Sequence, residues 1–151
     1  MKHYLVIGAV FIGLLLFGAS QMGIARGIRN NNPLNIRHSN DKWRGQLAYQ
    51  SDPEFVQFMD FEHGFRAAGR ILKTYKTKYG LESISDVISR WAPPNENDTD
   101  NYIAYVSDYM DKPEFEELSE GEWPKLLQAM AIMETGQTFE ITTIQNGLNL
   151  A

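Results

Sequence analysis

Apolar and polar residues alternate along this chain with spacings that predict a mostly helical fold. Asp60 is a suitable N-cap, apolar residues then recur every three or four positions as far as Tyr79, and Gly80 is a suitable stop. A capping-box pattern that begins at Ser83 predicts a second helix, which the consecutive prolines at 93 and 94 end. These two segments are the clearest helices in the sequence.

Two more helices follow in the second half of the chain. Asp98 or Thr99 can cap a third helix, whose apolar and aromatic residues again fall on one side. The fourth helix is predicted over about 122–135, with Pro124 in its first turn and Gly136 at its exit. The acidic residues after position 113 suggest a short helical piece, and the tail from 137 has no clear periodicity.

The segment between the apolar start and the first helix is polar and rich in turn-forming residues. Residues 26–40 predict a structured loop with one helical turn. Two short strand-like runs, 45–49 and 54–59, flank a Ser-Asp-Pro sequence and predict a hairpin. The expected fold class is therefore mostly α (α+β), with a small β-hairpin beside the helices.

An uncharged run opens the chain. From Tyr4 to Ala25 there are 22 residues without a charge, which is enough to cross a bilayer core of roughly 30 Å. Small residues at 18–20 also resemble a signal-peptidase cleavage site, so cleavage and retention both stay open. We expect an N-terminal transmembrane helix or signal-anchor over 1–25, with lipid as partner through residues 4–25, and one globular domain over 26–151.

Composition and charge narrow the choice of partner. The chain has no cysteine, which excludes disulfides and thiolate metal sites. Its net charge of -5 and pI near 5.2 argue against nucleic acid as a partner. Residues 26–44 are basic and residues 95–122 strongly acidic. The basic part suits an anionic polymer such as peptidoglycan, and two solvated faces of opposite sign explain the pattern equally well.

Residues 26–37 read Arg-Gly-Ile-Arg-Asn-Asn-Asn-Pro-Leu-Asn-Ile-Arg, and this string resembles the opening motif of a family of phage virion and lysis proteins with lysozyme-like, lytic-transglycosylase-like folds. Segments 61–67, 91–99 and 133–136 fit the same pattern in the same order. Leu34 stands where the family has glycine, so a glycine-specific backbone role is in doubt there, or the leucine narrows the cleft. Because the glutamate-bearing helix comes last, the resemblance implies a circularly permuted order.

The resemblance implies a membrane-associated phage muralytic enzyme that cleaves the glycan strand of peptidoglycan. A lytic transglycosylase mechanism with a single glutamate is expected, and a muramidase activity stays open. The alternative is a non-catalytic virion membrane or structural protein that keeps the fold for glycan binding. The expected location is a virion membrane or host inner membrane, with the domain facing the periplasm and other virion proteins as further partners. No cofactor is expected.

Glu134 and Glu62 are the catalytic candidates. Glu134 continues the apolar stripe of the last predicted helix and lies at the helix end where the dipole is negative, and both features raise a glutamate pKa. The alternative is a frayed helix end facing water. Glu62 opens a helix, where the positive dipole end keeps a carboxylate ionised and suits a base, although a first-turn glutamate is also common for purely structural reasons.

Substrate-binding candidates come from the polar motifs. Their amide, hydroxyl and indole groups suit sugar hydroxyls and N-acetyl groups, while turn formation, helix capping and core packing are the structural alternatives. Three histidines without ligand spacing predict no metal site. The substrate-binding candidates are Asn31, Asn32, Asn35, Arg37, Trp43, Glu96, Asn97 and Thr99.

Overall fold

A computed structural model describes residues 24–151, and this part of the chain is mostly helical, as predicted. It contains six α-helices and one 3-10 turn, joined by loops that carry isolated antiparallel bridges. The helices are α1 Arg26–Arg29, α2 Phe61–Tyr79, α3 Ile84–Trp91, α4 Thr99–Met110, α5 Trp123–Thr135 and α6 Ile141–Asn149, and the 3-10 turn is Glu120–Glu122.

The helix ends follow the capping residues of the sequence. Asp60 accepts a hydrogen bond from the backbone of His63 at the start of α2, and Gly80 ends that helix in the left-handed region. Ser83 forms the expected capping box with Asp86 at the start of α3. These contacts satisfy backbone groups that would otherwise lack a hydrogen-bond partner at the helix ends. The four predicted helices are confirmed, with bounds within one or two residues of those expected.

The predicted hairpin is present only as isolated pairing. Segments 45–49 and 54–59 meet through an antiparallel bridge between Gln46 and Phe58, and the Leu47 amide donates to the Gln57 carbonyl at 2.9 Å. The prediction of two regular strands is wrong, because side-chain amides replace the backbone ladder at the turn. Gln50 Nε2 donates to the backbone carbonyl of Gln57, and the backbone N–H of Gln57 donates to Gln50 Oε1.

The tail contains a helix that the sequence pattern did not reveal. α6 packs along α2 and buries Ile144 completely. A Cβ on Gly147 would lie 2.5 Å from the backbone carbonyl of Glu62, so the absent side chain lets the two helices approach closely. Because this contact depends on a glycine and few apolar residues, the tail lacks the periodicity that marks the other helices.

The predicted membrane segment lies almost entirely outside the described residues. Only its last two residues, Ile24 and Ala25, belong to the described part of the chain. Within residues 24–151, none of the helices has the length and apolar character needed to cross a bilayer.

The core joins the N-terminal loop to the helices. Leu34 is fully buried, together with Trp91 of α3, Tyr102 of α4 and Met130 of α5. Leu34 therefore fills the core and does not narrow a cleft. Its burial fixes the loop against the helical part, next to the end of α5.

Candidate functional site

The carboxyl group of Glu134 lies at the centre of a small polar cluster, and Glu134 itself is half-buried. Glu134 belongs to the last turn of α5, and Asn35 of the N-terminal loop donates from Nδ2 to its Oε2 at 2.9 Å. The hydroxyl of Tyr102 in α4 donates to its Oε1 at 3.2 Å. Each carboxyl oxygen thus has one protein donor, and the two donors come from segments that are distant in sequence.

Burial gives this carboxyl an unusual protonation state. Loss of water around the group raises the pKa of Glu134 to about 8, and the hydrogen bonds from Asn35 and Tyr102 oppose that rise. The indole N–H of Trp91 also lowers the pKa of Glu134, although it makes no hydrogen bond of normal geometry. At neutral pH the carboxyl is therefore mostly protonated, which is the state that a general acid needs.

The motif over residues 26–37 folds so that Asn35 reaches Glu134. Asn31 and Asn35 both adopt left-handed backbone angles, with φ of 49° and 50°. Asn32 is fully buried between them, and its side chain makes three hydrogen bonds, two with the backbone of Ile36 and one with the carbonyl of Val56. The side chain of Asn32 stabilises the loop from inside, while Asn35 extends toward the end of α5.

Gly27 is required by the same packing. A Cβ at this position would lie 2.8 Å from the backbone oxygen of Asn32 and 3.0 Å from Oδ1 of Asn35. That Oδ1 is buried and has no hydrogen-bond partner, so its amide is held against α1 with only Nδ2 engaged. The close contact restricts the Asn35 side chain and keeps its donor on Glu134.

Asn31 also has an internal partner. Its Nδ2 donates to the carbonyl of Phe58 at 3.1 Å, which ties the motif to the bridged segments. A Cβ on Gly64 would lie 2.5 Å from the carbonyl oxygen of Asn31, so the loop touches the α2 backbone directly. Of the three asparagines predicted to bind substrate, Asn35 alone contacts the Glu134 carboxyl among the hydrogen bonds of residues 24–151.

Glu62, the second catalytic candidate, lies elsewhere. It belongs to the first turn of α2, and no hydrogen bond within residues 24–151 joins it to Glu134. The neighbouring His63 is engaged by the helix cap, because its Nδ1 lies 2.6 Å from Oδ1 of Asp60. The structure brings Glu134 together with Asn35 and leaves Glu62 at the start of a different helix.

Trp43 lines a separate cavity of about 400 Å³ against the second half of α2. Tyr75 and Tyr79 form part of the same wall, and the Tyr75 ring contacts Trp91 edge-on, with 6.3 Å between ring centroids. Two buried aromatic rings therefore connect this cavity to the Glu134 cluster. Arg37 packs differently, since its guanidinium lies 5.1 Å from the ring centroid of Phe55, as expected for a scaffold contact.

The loop after α3 holds the remaining candidates. Thr99 is buried and its hydroxyl donates to the carbonyl of Ala92 at 2.5 Å, while Asn97 Nδ2 donates to the carbonyl of Pro93 at 3.0 Å. Glu96 is exposed on the same loop. These contacts close the loop immediately after Trp91, and Glu96 keeps an accessible side chain.

Tyr102 and Trp91 are the members of the cluster that sequence reasoning missed. Both fall on the apolar faces of their helices and lie fully buried in the core. A buried tyrosine hydroxyl needs a polar partner, and this was the available signal. The sequence does not reveal which carboxyl it meets, because 32 residues separate Tyr102 from Glu134.

No cluster of three or more His, Cys, Asp or Glu side chains suited to a metal ion occurs within residues 24–151.

Comparison with known proteins identifies a phage relative. No protein-family model matches the chain. The chain is 43% identical over 137 residues to Protein P5 of Pseudoalteromonas phage PM2, an alignment that covers 89% of this chain and 86% of the relative. The predicted phage origin is confirmed at this level, and the relative's name states no activity. This chain belongs to the family of Protein P5 of Pseudoalteromonas phage PM2.

Proposed function

We propose that this protein cleaves the glycan strand of bacterial peptidoglycan by a lytic transglycosylase mechanism, with Glu134 as the single acid and base. The supporting observation is the buried carboxyl of Glu134, whose pKa is raised to about 8 while two protein donors hold its oxygens. The resemblance of residues 26–37 to lysozyme-like phage proteins gives the substrate class.

In the first step, protonated Glu134 gives its proton to the glycosidic oxygen, and the bond between C1 and that oxygen breaks. The resulting carboxylate is buried, so its charge needs local donors. Asn35 Nδ2 and the Tyr102 hydroxyl supply them at 2.9 and 3.2 Å. Hydrogen bonds to a charged group contribute about 1.5–3 kcal/mol each. These two residues therefore position the carboxyl and stabilise the state that forms as the proton leaves.

In the second step, the same carboxylate removes the proton from the sugar's 6-hydroxyl, whose oxygen then bonds to C1. This closes a 1,6-anhydro ring and returns Glu134 to its protonated form without consuming water. Burial favours the return of the proton, because it disfavours the charged carboxylate.

A one-carboxylate mechanism fits the composition of the cluster. Glycosidases that use water usually employ a second carboxylate. In the described part of the chain, the hydrogen-bond partners of the Glu134 carboxyl are an amide and a phenol. This chemistry favours the transglycosylase over the muramidase.

The proposed location is a membrane, with residues 4–25 as anchor and the domain facing the periplasm and the peptidoglycan. The 22 uncharged residues support the anchor, and the polar motif that follows directly at Arg26 begins the domain. Other virion proteins are proposed as neighbours, since the relative is a phage protein.

Zymography on purified peptidoglycan tests the activity. Wild-type protein should clear the gel, Glu134→Gln should not, and Glu62→Gln should clear like wild type. Circular dichroism of each variant confirms folding. Clearing by Glu134→Gln would remove this residue as the acid, and loss of clearing with Glu62→Gln alone would move the role there. No clearing by the wild-type protein would favour the non-catalytic virion protein that binds glycan.

Mass spectrometry of the released muropeptides tests the mechanism separately. Anhydro ends are expected for the transglycosylase reaction. Reducing ends would show that water is the nucleophile and that the enzyme is a muramidase.

A further inference from the structure

Three large apolar side chains are exposed on the bridged segments 45–49 and 57–59. Tyr49 is 80% exposed, Met59 59% and Leu47 42%. Backbone pairing keeps these segments together, because the Met59 amide donates to the Gly45 carbonyl and the Leu47 amide to the Gln57 carbonyl, both at 2.9 Å. The exposed side chains therefore belong to one ordered edge of the domain, which we call the apolar edge.

A basic cluster adjoins the apolar edge. Arg44 precedes Gly45 in the chain, and both Arg44 and Arg66 donate to the carbonyl oxygen of Ala151. Burial and then the like charges of Arg70 and Arg44 lower the pKa of Arg66, so the guanidinium of Arg66 lies close to both of the other two. One turn further along α2, Lys73 pairs with Glu120 at 2.6 Å. The three arginines form a concentrated positive surface beside the apolar edge.

The described chain also begins next to this edge. Arg26 pairs with Asp52 and Glu54 at 2.6 Å each, which fixes the start of α1 to the loop that follows Tyr49. The same contacts neutralise two carboxylates of that loop, Asp52 and Glu54. Ile24, at the end of the uncharged run 4–25, is 67% exposed. A membrane that receives the run therefore lies within reach of Tyr49.

We propose that the apolar edge and the three arginines form a second membrane contact, which docks the domain on the surface of an anionic phospholipid bilayer. Leu47, Tyr49 and Met59 enter the interfacial region, where aromatic and apolar side chains are favoured. Arg44, Arg66 and Arg70 contact headgroup phosphates, to which guanidinium groups bind in bidentate fashion. Charge complementarity selects lipid headgroups, and the exposed apolar side chains select a bilayer over a soluble polyanion. The proposal is independent of glycan cleavage.

Site-specific fluorescence on the full-length chain tests the docking. The chain has no cysteine, so Tyr49→Cys and Phe115→Cys each give one labelling position for an environment-sensitive dye. Phe115 is the matched control, since it is aromatic and 78% exposed but lies among glutamates. Each labelled protein is reconstituted into phosphatidylcholine vesicles with or without 30% phosphatidylglycerol, and quenching by doxyl-labelled lipid is measured.

The dye at position 49 should shift to the blue and be quenched in the phosphatidylglycerol vesicles, while the dye at position 115 stays in water in both. Replacing Arg44, Arg66 and Arg70 one at a time by Gln should lower the docking equilibrium about fivefold each, from about 1 kcal/mol per basic residue near an anionic surface. Circular dichroism checks that each variant is folded.

Equal quenching at positions 49 and 115, or no quenching at 49 with phosphatidylglycerol, would overturn the proposal. Docking that is unchanged by all three arginine substitutions would also overturn it. Lipid-free zymography separates this outcome from the proposed function, because Tyr49→Ser should clear peptidoglycan like the wild type even though docking is lost.

Discussion

Replacing Glu134 by Gln should make the protein more stable, and increasingly so as the pH rises. In the unfolded chain the glutamate ionises near its ordinary pKa of 4.5, whereas burial raises the pKa of Glu134 in the folded protein to about 8. Between these values the folded state holds one more proton than the unfolded state. The free energy of unfolding of the wild type therefore falls as pH rises through this window. Glutamine has nearly the same shape as glutamate and cannot ionise, so the free energy of unfolding of the variant does not fall with pH in this window.

The size of the effect follows from the two pKa values. One pKa unit corresponds to about 1.4 kcal/mol, so the variant should gain about 1.4 kcal/mol on the wild type for each pH unit between 5.5 and 7.5. The gain levels off above the folded pKa of about 8, at about 5 kcal/mol relative to pH 4.5. In the variant, Asn35 and Tyr102 no longer donate to a carboxyl group, and this loss lowers the stability by an amount that does not depend on pH.

Urea unfolding of the full-length chain, followed by tryptophan fluorescence in a fixed amount of nonionic detergent, measures the difference at each pH. The Glu62→Gln variant controls for the loss of one glutamate. A difference between wild type and Glu134→Gln that is the same at pH 5.5 and 7.5 would refute the buried, protonated carboxyl.

Three further predictions concern the cluster and the loop that supports it. Tyr102→Phe should raise the pKa of Glu134 further and so move the alkaline limit of peptidoglycan cleavage to higher pH. It should also slow cleavage at pH 7 about tenfold, because the ionised carboxylate loses one hydrogen bond. A dye-release assay across pH measures both effects. Asn32→Ala should lower the free energy of unfolding by about 3 kcal/mol, since three buried hydrogen bonds between the Asn32 side chain and the backbone are lost, and an unchanged urea midpoint would contradict this. Gly45→Ala should destabilise the domain by at least about 2 kcal/mol in thermal unfolding, because φ is 77° and the new Cβ would lie 2.2 Å from the ring of His63. The control Gly80→Ala, with φ of 62° and no atom within 4 Å of the new Cβ, should cost only about 1 kcal/mol in the same experiment.

Local chemistry explains why the helices were predictable. Asp60, Ser83 and Gly80 act on their own helix ends, and the helical spacing of apolar residues in α2 and α3 reflects one buried face each. The predicted hairpin proved to be only isolated pairing, and α6 was not predicted, for the opposite reason. The paired segments use side-chain amides in place of a backbone ladder, and α6 depends on close approach at Gly147, so neither leaves a periodic signature.

The sequence by itself determined four helices, the uncharged run over 4–25, and Glu134 as a glutamate at the end of an apolar helix. Only the tertiary structure decided that the Glu134 carboxyl is desolvated and held by Asn35 and Tyr102. It also separated Asn32, which stabilises the loop, from Asn35, which reaches the carboxyl, although both belong to one motif. The reason is that a pKa and a hydrogen bond depend on which distant segments pack together, and sequence spacing carries no record of contacts 99 residues apart.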